Sequence, residues 1–167
     1  MHHRYNPDSY PASSYDDDFC LKPPFLLWLA VLYLSRGTVL PILVGFGHFA
    51  GVNVDAMTLM RGLWRADELL PALLALPVIY ALCRRVPAAS RPVRWIWSHG
   101  RTLLALSAGA DIVLAVVSLM SLADLEQAPA TVCACVADAY FLVYFLAARR
   151  IRDTFSDFPA PYVLRRR

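Results

Sequence analysis

The stretch Pro24 to Val44, PFLLWLAVLYLSRGTVLPILV, constrains this chain more than any other. About 20 apolar residues at ~1.5 Å each match a hydrocarbon slab of ~30 Å, so the run is long enough to cross a bilayer as a helix. Arg36 sits near its middle. A guanidinium at that depth costs roughly 2.5–3.5 kcal/mol even on the milder insertion scale, so protein groups must neutralise it. Two later apolar segments each carry one mid-span carboxylate, Asp111 and Asp138. The expectation is an all-α integral membrane protein, a four-transmembrane-helix bundle in which these three charges meet.

Length and composition agree. A chain of 167 residues allows one domain, and its 58% hydrophobic content exceeds the usual share of a soluble one. Spans are expected at about 24–44, 66–83, 102–122 and 130–148, within a transmembrane domain of residues 23–152. Residues 1–22 read as a disordered cytoplasmic tail, because they are polar, rich in Asp, Ser and Tyr, and poor in aliphatics. They lack the pattern of a cleavable signal. Residues 153–167 read as a basic cytoplasmic tail.

The second span is the weakest by composition. Leu69 to Cys83 is short, and Pro71 and Pro77 interrupt it. Charge argues that it crosses. The following segment, RRVPAASRPVRWIWSHGR, carries five arginines and no acid, and short Arg-rich loops stay on the cytoplasmic side. With four crossings, thirteen of the 16 Lys and Arg residues fall in cytoplasmic segments, Arg61 and Arg65 fall outside, and Arg36 lies within. Both termini are therefore expected inside. Gly45 to Ala66 reads as an outer loop with a short interfacial helix over Met57 to Trp64. Pro41 is expected to kink the first span, either as a purely structural kink, the simpler reading, or by freeing the Gly37 carbonyl near Arg36.

Depth supports the charge meeting. Arg36 is twelve residues beyond Pro24, Asp111 nine beyond Thr102, and Asp138 ten before Ala148. At ~1.5 Å per residue each lies roughly 14–18 Å from the inner boundary, near the midplane. Ser107, Asp111, Ala115 and Ser118 share one helical face, as do Thr131, Ala134 and Asp138. Tyr33, one turn before Arg36, and Ser107, one turn before Asp111, are candidates to support the cluster. Two ionised carboxylates against one guanidinium leave a charge of −1. No further acid, His or Asn is expected to face the site. The simpler reading is a clasp that fixes helix packing, and the functional one is a proton or ion site.

Other chemistry finds little support. Cys20, Cys83, Cys133 and Cys135 match neither zinc spacing nor a disulfide framework and read as reduced thiols. His48 and His99 fall on opposite sides, so no transmembrane haem pair forms. The G-F-G at residues 45–47 lacks the context of a phosphate loop. No catalytic set, metal or cofactor is expected. Arg84, Arg85, Arg91, Arg94, Arg149, Arg150 and Arg152 are candidate contacts to anionic headgroups, at about 1 kcal/mol each near the surface. Nucleic acid is not an expected partner; the bilayer, another membrane protein or a second copy of the chain is.

The opening YDDDFCLKPPFLLWLAVLYLSRG, with Tyr15, Leu21, Pro24, Trp28 and Arg36, resembles the start of the YfeZ-like family of small bacterial inner-membrane proteins. The close VADAYFLVYFLAARRIRDTFSDFP, with Asp138, Arg149, Arg150, Phe155 and Phe158, resembles that family's end. The resemblance implies a four-span protein of the bacterial inner membrane and carries over no catalytic or binding residue. The function expected is that of a non-enzymatic accessory or assembly subunit of a larger membrane complex. The alternative is a small proton-linked carrier or channel using Arg36, Asp111 and Asp138.

Overall fold

The computed structural model describes residues 10–16, 20–49, 51, 68–120 and 128–159. These residues form six α-helices and no strand beyond one isolated bridge between Tyr15 and Leu21. The helices are α1 (Phe25–Leu34), α2 (Arg36–Phe49), α3 (Leu69–Cys83), α4 (Arg91–Met120), α5 (Ala128–Ala147) and α6 (Arg149–Ser156).

Of these, α4 and α5 are each long and apolar enough to cross a membrane. The pair α1 and α2 passes the same test only when taken as one broken span, and α3 is a shorter apolar helix of 15 residues. The described helices thus supply two membrane-length elements, or three with the broken pair, rather than a clear four. At 30 residues α4 is ~45 Å long, so it outruns a ~30 Å slab by several turns.

The expected single span at 24–44 is instead bent by 72° between α1 and α2. Pro41 lies inside α2 and the break falls earlier, at Ser35. Local hydrogen bonding accounts for the place. The Ser35 hydroxyl donates to the Leu32 carbonyl at 2.9 Å, taking the acceptor that the Arg36 N–H would use in a continuous helix. The Arg36 Nη1 donates to the Tyr33 carbonyl at 3.3 Å, and the Thr38 hydroxyl to Ser35 O at 2.9 Å. The carbonyl that meets the cation at the break is that of Tyr33. Helix α2 also runs on through Gly45 to Phe49, where the composition suggests loop.

Helices α3, α4 and α5 form the body. Their close approach follows from small residues: Ala72, Ala75 and Ala81 on α3 and Ser107 and Ala108 on α4 are fully buried or nearly so. Larger apolar groups, among them Leu27, Leu34, Val78, Leu104 and Phe145, fill the remaining core. Outward, α5 presents Val132, Val136, Tyr140, Val143 and Leu146, and α4 presents Leu106, Val113 and Val117. A contiguous exposed apolar surface of this kind needs lipid or a partner to cover it.

One end of the body is closed by chain outside the main helices. Helix α5 stops where Ala148 turns extended, and Arg101 takes the carbonyls released there, donating from Nε to Phe145 O at 2.8 Å and from Nη2 to Leu146 O at 3.2 Å. Helix α6 then lies back with Ile151, Thr154 and Phe155 buried, a spacing of three and one that makes one face. Gly100 provides the space for this packing, since a Cβ there would meet Phe155 Cε1 at 2.5 Å.

The amino-terminal segment packs onto the same end. The composition predicts disorder over residues 1–22, yet Ser14, Cys20 and Leu21 are buried. The Tyr10 hydroxyl donates to Asp153 Oδ2 at 2.8 Å, and the Leu21 N–H donates to Asp157 Oδ2 at 2.8 Å. Residues 1–9 and 17–19, the interfacial helix expected over 57–64 and the last eight residues lie outside the described residues.

Candidate functional site

The break between α1 and α2 sets Arg36 at the first position of α2, from which its guanidinium reaches three carboxylates on three other elements. Glu68, immediately before α3, lies along one edge, with Oε2 3.3 Å from Nε and Oε1 accepting from Nη2 at 3.4 Å. Asp111 Oδ2 of α4 is 3.4 Å from Nη1, and Asp138 Oδ1 of α5 is 3.8 Å from the same nitrogen. Side-chain exposure falls from 17% for Arg36 and 13% for Glu68 to 4% for Asp111 and 1% for Asp138. All four contacts are longer than the ~2.7–2.9 Å of a tight charge-assisted hydrogen bond, as expected when one guanidinium serves several acceptors.

Glu68 corrects the expectation that no further acid faces the cluster. It falls inside the span expected at 66–83, so those bounds already made it an intramembrane acid. With Glu68 present, full ionisation would give one positive against three negative charges, a net −2 instead of −1. Gly37 is what lets Glu68 come so near: a Cβ at that position would run into the Glu68 carbonyl oxygen and meet its carbonyl carbon at 2.7 Å.

Tyr33 joins the cluster in two ways. Its ring lies under the guanidinium, 4.3 Å from centroid to Cζ, and its hydroxyl donates to Ala134 O at 3.2 Å, one turn before Asp138. Ser107 does something different from what its spacing suggests. Its hydroxyl donates to the Pro71 carbonyl at 2.9 Å and ties α4 to α3, not to the charges. Asp138 is the unusual member. Neither of its carboxyl oxygens has a hydrogen-bond donor among the described residues, although both are buried. Buried polar atoms in folded proteins are nearly always paired, so this site asks for a reason.

The basic residues divide by environment. Arg85, expected at headgroups, has a side chain only 5% exposed: its Nη1 donates to Leu21 O at 2.9 Å and its Nη2 to Asp157 O at 3.3 Å. It also lies over the Trp97 ring at 4.9 Å and within 3.9 Å of Asp16 Oδ2. Trp97 Nε1 in turn donates to Asp157 O at 3.0 Å. Arg94 is turned inward as well, donating to Pro87 O at 2.7 Å and covering Phe158 at 4.6 Å. The physical reason is shared: each sits beside free carbonyls of a chain turn and an aromatic face. Arg84, Arg91, Arg149, Arg150 and Arg152 are exposed.

The remaining candidates stay separate. Cys83 and Cys133 are exposed, Cys20 is buried, and none of the four cysteines forms a disulfide. The exposed His99 pairs with Trp95 O and Ser98 on its own helix, and the side chain of His48 lies outside the described set. No group of three or more His, Cys, Asp or Glu residues is arranged to hold a metal ion among the described residues.

Fold and site together define a class: an all-helical protein with apolar helices of membrane length around one buried, acid-rich charge cluster. The chain belongs to the family described as "Protein of unknown function (DUF2919)", whose model matches residues 10–157. No curated protein and no solved structure matches it.

Proposed function

We propose that this is a multi-pass protein of the bacterial inner membrane with both termini inside, acting as a non-enzymatic accessory or assembly subunit of a larger membrane complex. The observation that carries the reading is Arg36, where one guanidinium engages α3's leading residue, α4 and α5 from its place on α2. Such a contact replaces the hydrophobic drive that lipid removes, because helices in a bilayer associate through packing and polar contacts. The apolar outer faces of α4 and α5 supply surface for lipid and for a membrane partner. In this reading α3 is a full crossing, shortened and tilted by Pro77. The exposed Arg84, Arg91, Arg149, Arg150 and Arg152 meet anionic headgroups, while Arg85 and Arg94 hold the inner end together.

The test is mild detergent extraction of the tagged protein from its native membrane, followed by identification of what co-purifies. A stoichiometric membrane partner, lost in Arg36→Gln, supports the subunit reading. A monodisperse chain without a partner counts against it.

A second reading is favoured by the carboxyl of Asp138, which accepts no hydrogen bond among the described residues, and by the acid excess around Arg36: a small proton-linked carrier or channel working as an oligomer. Proteoliposomes with an entrapped pH dye test it. Dissipation of an imposed pH gradient, lost in Asp138→Asn, supports this reading, and tight vesicles count against it.

A further inference from the structure

We propose that the carboxyl of Asp138 is a proton-binding site that is filled and emptied without disturbing the ion pairs of Arg36 with Glu68 and Asp111. This rests on the proton-linked reading above and deepens it by naming the residue and the ligand. The groups facing Asp138 are few: Tyr33 from α1, Arg36 from α2, Glu68 before α3 and Asp111 from α4. Each is otherwise engaged. Tyr33 gives its hydroxyl to Ala134 O, and Arg36 directs its donors to Tyr33 O and Glu68, with Asp111 the nearer aspartate at 3.4 Å.

Asp138 is left 3.8 Å from Nη1, 1% exposed, with no donor to either oxygen among the described residues. A buried carboxylate without hydrogen bonds is strongly disfavoured, whereas a neutral carboxylic acid carries no charge to bury. A bound proton removes that buried charge while leaving the guanidinium to Glu68 and Asp111.

A metal cation fits less well. Arg36 already places a positive group within 4 Å of both aspartates, and a second one would be repelled by it. The acids also do not converge as a metal-binding group. The step is a simple exchange. The carboxylate accepts H⁺ from the aqueous phase and becomes a carboxylic acid, an O–H bond forming with no change at carbon and no electron transferred. Release reverses it, changing the charge of the cluster by one unit.

Infrared difference spectroscopy between acidic and alkaline buffer, on the full chain in phosphatidylcholine vesicles, tests this. The carbonyl stretch of a protonated buried carboxyl should appear, vanish in Asp138→Asn, shift in Asp138→Glu and persist in Asp111→Asn. The Asp138→Glu variant decides alone if Asp138→Asn does not fold. A band that is absent, that ignores both Asp138 substitutions, or that sodium chloride abolishes at fixed pH overturns the proposal. The same vesicles separate this from the carrier reading: a band that depends on Asp138 with no proton flux keeps the site and removes the carrier, while flux without the band keeps the carrier and removes the site.

Discussion

Gly37 and Glu68 touch backbone to backbone, so closely that a methyl group on Gly37 would lie 2.7 Å from the Glu68 carbonyl carbon and 3.2 Å from Ala72 Cβ. Neither neighbour is the end of a flexible side chain. The start of α3 can hold its carboxylate against Arg36 only because residue 37 has no side chain.

Gly37→Ala should therefore separate α2 from α3 and draw Glu68 away from the guanidinium. Overpacking of this kind costs typically 1–3 kcal/mol. Thermal unfolding in detergent should fall accordingly, and Glu68→Gln should cost less in the Gly37→Ala background than in the native one. Equal costs in both backgrounds would show that the contact does not position Glu68.

Arg85 is the hub of the end closed by α6, reaching Leu21 O, Asp157 O and the Trp97 ring. Arg85→Ala should release both flanking segments. Each hydrogen bond to a charged group is worth about 1.5–3 kcal/mol. Limited proteolysis should cut near residues 10–22 and 153–159 faster in this variant than in Arg84→Ala, whose side chain is exposed. Similar cleavage of the two variants would contradict the assignment.

Tyr10 anchors the amino-terminal segment to α6 through Asp153. Burial first, then the hydrogen bond to Asp153, pushes its phenol above the usual tyrosine range. A folded value above the unfolded one means the contribution is complete below the unfolded value, near pH 10, and fades as pH rises through the folded one. Docking of residues 10–16, followed by hydrogen exchange, should thus weaken only in strong alkali. Tyr10→Phe should lose the contact at neutral pH, at about 0.5–1.5 kcal/mol. Unchanged exchange in Tyr10→Phe would show the hydrogen bond to be incidental.

Much of this arrangement was open to a reader of the sequence, for identifiable reasons. Arg36, Asp111 and Asp138 each stand in an apolar run, and residue counts alone set them at one depth. Glu68 escaped because it opens a short helix, where an acid looks like an ordinary boundary residue. The bend escaped because Pro41 is the conspicuous breaker, whereas the hydroxyl of Ser35 competes for the Leu32 carbonyl without any compositional mark. The packing of Leu21 depends on Arg85 and Asp157, partners far along the chain that local composition cannot name.

Topology has its own check. A reporter active only outside the inner membrane, fused after Arg91, should be silent, because α3 is expected to return the chain to the cytoplasmic side. The same reporter fused after Gly51 should be active. Activity after Arg91 would make α3 a re-entrant segment and reduce the crossings accordingly.

The central claim is that Arg36 is held by acids from neighbouring helices, and a double-mutant cycle between Arg36→Gln and Asp111→Asn measures it most directly. In the folded protein in detergent, the two substitutions should be non-additive by about 0.5–3 kcal/mol, the double variant being more stable than the sum of single losses implies. Additive losses would mean that the guanidinium and the carboxylate, 3.4 Å apart, do not depend on each other.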